Sequence, residues 1–236
     1  MKRRKGRFGT PLFLHRIGFT LIELIIAVLV FSFMMASISS IYSTITRNTH
    51  QNYRQDMWKT NTAMAMRTIQ QNLIAATRID SPVAGGVSDH LNFAVNVDQL
   101  TGCAPIGPGP VTWHHFYRTT IVTPGCPSGS CLYYCSGPIP TAGGGACSSA
   151  APFFWNPPAG AYPVCAAPIL LLSNVTPRPG VPVFSRQMNE KGVVAVNLRI
   201  LWNPGALAVT GADLSASQRT IDYSLQTVVR INSPAI

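Results

Sequence analysis

The chain has 236 residues, 47% of them hydrophobic and only 11% charged, with 19 Gly and 19 Pro. That length admits one sizeable domain with an appended element and excludes several large ones, and the composition excludes a disordered polyampholyte. The net charge of +10 invites a nucleic-acid reading, but Lys2, Arg3, Arg4, Lys5, Arg7 and Arg16 all fall within residues 1–18, leaving +4 and no dense basic run for the rest. Basic residues placed directly before an apolar segment hold an N-terminus in the cytoplasm, so the basicity is read as topological.

Residues 18–33 read GFTLIELIIAVLVFSF, a membrane-grade apolar run interrupted by one carboxylate, Glu23. An acidic group near the middle of a membrane helix is costly and ordinarily has a partner or a purpose. A secretory signal would use Leu24 to Ala36 as its apolar region, but SISSIYSTIT after it offers no A-x-A cleavage site. A plain single-pass anchor is physically sound, because Phe19 to Ala36 has 18 residues and Thr20-Leu21-Ile22-Glu23 fits the T-x-x-E capping box. Neither reading explains the Gly-Phe junction or the apolar residues on both sides of Glu23.

Gly18, Phe19, Thr20, Leu21, Ile22, Glu23 and Leu24, behind a basic leader and ahead of an apolar helix, resemble the N-terminal signal of type IV prepilins. The resemblance implies that a prepilin peptidase removes residues 1–18 by cutting between Gly18 and Phe19 and methylates the new N-terminus at Phe19. It also implies that Glu23 docks the subunit during filament assembly. Chemically, an unbranched Gly18 presents an accessible peptide, and cleavage there creates a cationic amine that a carboxylate on a neighbouring subunit could meet.

Beyond Ala36 the sequence turns polar while keeping helical spacing at Ile38, Ile41 and Ile45, and again at Met66, Ile69, Leu73 and Ala76. No Pro or Gly occurs from Phe19 to Ser81, so nothing in composition obliges a break before Pro82. The expected division is therefore a membrane and filament-core helix over 19–45, an amphipathic continuation over 46–80, and a β-rich head over 81–236. The stripe from Met66 to Ala76 is read as core packing and not as a cofactor box.

From about residue 90 the apolar period shifts toward two. In VVAVNLRILW, Val194, Val196, Leu198, Ile200 and Trp202 alternate with other residues, and in TIDYSLQTVVRI, Ile221, Tyr223, Leu225, Val229 and Ile231 share a face. Both predict half-buried antiparallel strands. Further strands are expected at 91–97, 115–123, 131–134 and 169–173, set among Cys/Gly/Pro-rich loops over about 102–182. The fold class expected is α+β and pilin-like: a long N-terminal helix packed on an antiparallel sheet.

Six cysteines, Cys103, Cys126, Cys131, Cys135, Cys147 and Cys165, lie in that loop-rich stretch. An even count behind an export signal predicts disulfides, with connectivity left open among 15 pairings. Cys126, Cys131 and Cys135 with His114 and His115 invite a zinc reading, but paired C-x2-C knuckles are missing, and no metal or cofactor is expected. No G-x-S-x-G elbow, H-E-x-x-H helix or P-loop is present, so catalysis is not expected. Trp113, Phe116 and Tyr117 beside Arg118 could stack on nucleic-acid bases, although aromatics in a strand are ordinarily packed, and nucleic acid is not an expected partner.

The order of parts is similar to the larger minor pilins of the PilW type and to J-type minor pseudopilins. That similarity implies a minor pilin of a type IV pilus, partnered by prepilin peptidase, by other pilin subunits and by the inner membrane, with the head in the periplasm. A minor pseudopilin of type II secretion and a DNA-binding pilin-like protein of DNA uptake are the alternatives.

Overall fold

A computed structural model describes residues 20–123, 125–140, 147–157, 162–163, 165–189, 192–202 and 220–231. The leader and the expected cleavage and methylation site at Gly18 and Phe19 lie outside the described residues. The chain divides into two units, Met1–His50 and Gln51–Ile236.

Helix α1 runs Leu21–Ile74. It starts where Thr20 caps it and continues because no Pro or Gly interrupts the 54 residues. It stops short of the expected residue 80, and residues 78–81 form a strand instead. The reason is tertiary: Thr77 N–H donates to Ala94 O at 3.0 Å, and Thr77 Oγ1 both donates to Val97 O at 2.8 Å and accepts from Val97 N at 2.9 Å. Once Thr77 is held this way, Arg78 and Ile79 pair in register with Ala94 and Phe93.

In chain order the strands are β1 (Arg78–Ser81), β2 (Val87–Ser88), β3 (His90–Val95), β4 (Cys103–Ala104), β5 (Thr112–Thr119) and β6 (Cys131–Pro138). They continue as β7 (Phe153–Phe154), β8 (Ile169–Ser173), β9 (Phe184–Arg186), β10 (Val193–Trp202) and β11 (Ile221–Arg230). Instead of the one sheet expected, they form a five-stranded sheet ordered β1-β3-β5-β6-β8, a four-stranded sheet ordered β11-β10-β9-β2, and a β4-β7 ribbon. All the named pairs are antiparallel. After β8 the chain turns at Asn174, in the left-handed region at φ 60°, and Val175 bridges to Ile200 of β10, which joins the two large sheets.

The two late strands behave as their period of two predicts. Val194, Val196, Leu198 and Ile200 are buried, and β10 pairs with β11 without a break from Val193↔Arg230 to Trp202↔Ile221. Met66, Ile69, Leu73 and Ala76 are at most 3% exposed and pack in one cluster with Leu91, Phe93 and Phe116 of the five-stranded sheet and Phe184, Val196 and Leu198 of the other. Burying a Leu or Ile side chain contributes about 1.5–3 kcal/mol, so this stripe fastens the helical segment to both sheets.

Side chains alternate across a strand, so the residues of β3 that do not face the helix form a second layer. Leu91 and Phe93 belong to the main core, while Ala94 packs with Val97, Trp113, Cys135 and Trp155 on the opposite face. That outer face, covered by the loops after β3 and β6, positions the polar groups considered below.

Candidate functional site

Among the described residues, the first unit presents an exposed apolar surface. Every large hydrophobic residue named there is exposed, from 79% at Leu21 through 53% at Leu29 to 57% at Ile45. The apolar part of α1 is unburied and, by length and composition, long and apolar enough to cross a membrane. Contiguous apolar area of this size requires lipid or protein around it. Its hydroxyl residues fit that demand, because Ser32 Oγ donates to Val28 O at 2.7 Å and Ser37 Oγ to Phe33 O at 3.0 Å. No hydroxyl proton of these two is therefore left without an acceptor in an apolar setting.

Glu23 sits in the first turn and closes a reciprocal cap. Thr20 N–H donates to Glu23 Oε2 at 2.9 Å, Thr20 Oγ1–H donates to the same oxygen at 3.0 Å, and Glu23 N–H donates back to Thr20 Oγ1 at 3.4 Å. Glu23 Oε1 takes no part in these bonds, so the cap engages one carboxylate oxygen. The geometry therefore permits Glu23 to serve its own helix and a neighbour at once.

A family model described as a prokaryotic N-terminal methylation motif matches residues 15–39, the stretch that contains Gly18, Phe19, Glu23 and the exposed apolar turns. The chain carries this motif, which supports a type IV pilin-like protein: a pilin or pseudopilin, anchored by its apolar helix, processed by a prepilin peptidase and assembled with other subunits. Comparison with curated proteins and with solved structures gives no match.

In the head, the cysteines are joined as Cys103–Cys147, Cys126–Cys131 and Cys135–Cys165. This splits the ligand set considered for zinc: Cys126 and Cys131 bond to each other, and Cys135 bonds to a residue outside that set. Among the described residues, His115, Cys135 and Cys165 bring their ligand atoms within 4.8 Å of one another. Two of those atoms share a disulfide, and a disulfide sulfur is not a thiolate ligand.

The two neighbouring histidines face opposite sides of β5. His114 stacks on Phe93 with ring centroids 4.9 Å apart and has Nδ1 2.9 Å from Tyr134 Oη, while His115 Nε2 lies 3.1 Å from His90 Nδ1. Burial lowers His114 to about 4, and burial followed by the nearby His90 lowers His115 to about 4. Both are neutral structural groups at neutral pH. Trp113 and Phe116 are 7% and 0% exposed and Arg118 pairs with Asp89 at 2.6 Å, so these groups are packed, while half-buried Tyr117 stacks on Tyr133 with ring centroids 5.6 Å apart.

A site that motif reading missed lies at the β1 edge, where the two large sheets approach. A cavity of about 290 Å³ is lined by Arg78 and Asp80 of β1, Asn92 of β3, Arg186 of β9, and Gln99 and Tyr162 from loops. Arg78 Nε donates to Asp80 Oδ1 at 2.6 Å, Tyr162 Oη–H donates to Asp80 Oδ2 at 2.6 Å, and Arg78 Nη2 donates to Asn156 Oδ1 at 2.8 Å. Burial, reinforced by the Asp80 charge, pushes the Tyr162 phenol up, and burial lowers Arg186, opposed by Asp80. These residues are spread from 78 to 186 with no spacing pattern, so only strand register and loop path bring them together.

Proposed function

We propose that the chain is a minor pilin of a type IV pilus, of the PilW type. The observation that carries this reading is the coincidence of the methylation motif at 15–39 with a helical stretch, Leu21 to Ile45, whose large apolar side chains are all exposed. In this reading the precursor sits in the inner membrane with its basic leader in the cytoplasm and its head in the periplasm. Prepilin peptidase cuts between Gly18 and Phe19 and methylates Phe19. Residues 19–45 then pack against the corresponding helices of other subunits, and the head with its cystine-held loops is carried to the cell surface. Lateral packing of apolar helices supplies cohesion, and the carboxylate of Glu23, docking on a neighbouring subunit's N-terminal amine, sets register because an unpaired charge in that setting is penalised.

The decisive experiment compares Thr20→Ala, Glu23→Gln and Glu23→Ala in cells, reading the mass of the mature N-terminus and the amount of chain in sheared filaments. A residue that only caps its helix makes Thr20→Ala and Glu23→Ala equivalent, because either removes the reciprocal bonds. A docking carboxylate makes both Glu23 variants far poorer in filament incorporation than Thr20→Ala, with cleavage and methylation intact. Wild-type incorporation of Glu23→Ala would overturn the docking role. Absence of the wild-type chain from every filament and assembly-platform preparation would overturn the pilin reading.

A further inference from the structure

We infer that the cavity at the β1 edge is a binding site for a sugar-sized, hydroxyl-rich ligand, a single monosaccharide unit held by side-chain amides, guanidinium groups and one carboxylate. Size comes first: about 290 Å³ lies at the low end of the ~300–1,000 Å³ usual for small-molecule sites, too roomy for a simple ion and too small for a peptide segment.

The hydrogen-bonding inventory selects the chemistry. Asn92 is only 4% exposed and its amide makes no hydrogen bond among the described residues, with Oδ1 fully buried and unpartnered there. Gln99 uses its carbonyl oxygen to accept from Ile79 N–H at 3.0 Å, and Asn156 uses its own to accept from Arg78, so that among the described residues both NH2 groups remain as donors at the cavity. A native fold ordinarily satisfies nearly all its buried polar groups, so the buried Asn92 amide, beside the NH2 groups of half-buried Gln99 and exposed Asn156, marks a place where something else completes it.

Asp80 adds the complementary acceptor. Each of its oxygens already accepts one bond, from Arg78 and from Tyr162, and a carboxylate oxygen can accept a second. A ligand must therefore both accept from several N–H groups and donate to a carboxylate, which vicinal hydroxyl groups do without bringing a negative charge against Asp80, as an inorganic anion would. Cationic ligands are disfavoured by Arg78 and Arg186. The apolar rim of Val83 and Pro157 gives the C–H face of a pyranose something to rest on.

Rigidity supports the same use. Arg186 is 8% exposed, and its Nη1 donates to Ile79 O at 3.0 Å, tying the two sheets together at the back of the cavity. The Asp80 carboxylate is fixed on both sides, so the polar groups are preorganised and a ligand meets little ordering cost. The inference does not depend on the filament reading.

The test uses the full chain in a zwitterionic detergent free of sugar, with D-glucose, D-galactose, D-mannose, N-acetyl-D-glucosamine and D-glucuronate as probes, and acetate and phosphate as controls. Saturation-transfer NMR reads binding, and tryptophan fluorescence reads it independently, because Trp155 packs edge-on against Tyr162 at 5.6 Å. The expected result is saturable binding of at least one sugar with a dissociation constant on the order of 1 mM. Asn92→Ala should weaken it about tenfold without lowering the thermal midpoint, since that amide bonds nothing among the described residues. Asn156→Asp, which keeps the acceptor for Arg78 and removes the NH2 donor, should weaken it similarly and covers the case in which Asn92→Ala does not fold. No binding by any sugar, binding of acetate or phosphate as tight as of the sugars, or sugar binding unchanged by both variants would each overturn the assignment.

Discussion

Leucine-to-alanine truncation on the same helix should have opposite consequences at two positions. Leu73 is 0% exposed and packs between both sheets, so Leu73→Ala loses its transfer free energy and leaves a cavity, a cost of about 2–5 kcal/mol. For a body the size of Gln51–Ile236, each kcal/mol moves the midpoint by about 2–4 °C, which places the fall at about 4–20 °C. Leu29 is 53% exposed, and Leu29→Ala should change the head's midpoint by no more than about 1–2 °C, the effect of a surface substitution within about 0.5 kcal/mol. The assay is thermal unfolding by intrinsic fluorescence in detergent, which reports the head alone because Trp58, Trp113, Trp155 and Trp202 all lie in the second unit. In cells the order should reverse in part: Leu29→Ala lowers incorporation into filaments while the head stays folded. Equal midpoint losses for the two variants, or a fall below about 2 °C for Leu73→Ala, would refute the division of the helix into a packed half and an unpartnered half.

Acid should destabilise the head through His114 and His115. Their folded values are depressed to about 4 from an ordinary 6.5, so the unfolded chain binds more protons between those values: stability is complete above about pH 6.5 and is lost as pH falls toward 4. Allowing for partial solvent screening, the loss is roughly 1 kcal/mol per pH unit for each histidine, His114→Gln should blunt it, and a midpoint flat from pH 7 to 5 would contradict it. Among the cystines, loop length ranks the cost of removal: 44 residues separate Cys103 from Cys147 and 5 separate Cys126 from Cys131, which corresponds to about 4 and about 2 kcal/mol by chain entropy. Denaturant unfolding of the two paired serine variants should preserve that order, and the reverse order would contradict it. Gly102→Ala should cost about 2–5 kcal/mol, because φ is +74° there and a Cβ would stand 2.5 Å from Trp155 O; a stability change under 1 kcal/mol would show that the turn relaxes.

The local features of this chain are the ones its sequence decides. A basic leader, an apolar run and a T-x-x-E box are contiguous, and their meaning depends on transfer free energy and on a capping bond three residues long, so the anchor helix and the place of Glu23 are readable without a fold. The same holds for the stripe Met66, Ile69, Leu73 and for the alternation in β10 and β11, since a period of 3.6 or 2 is imposed by backbone geometry alone. Fold class follows from these patterns.

Tertiary structure decides wherever a residue's state depends on a distant partner. The helix ends at Ile74 because Thr77 bonds to Ala94 and Val97, a choice made by β3 and invisible in a stretch that lacks Pro and Gly. Strands as short as β2 and β9 carry no period, so the second sheet emerges only when β9 pairs with β10 on one side and β2 on the other. Cystine pairing is likewise a matter of which loops meet. The cavity at β1 is the extreme case: Arg78, Asp80, Asn92, Tyr162 and Arg186 are ordinary residues in sequence. They become a site because strand register and loop path bring them together and because the buried Asn92 amide has no partner among the described residues.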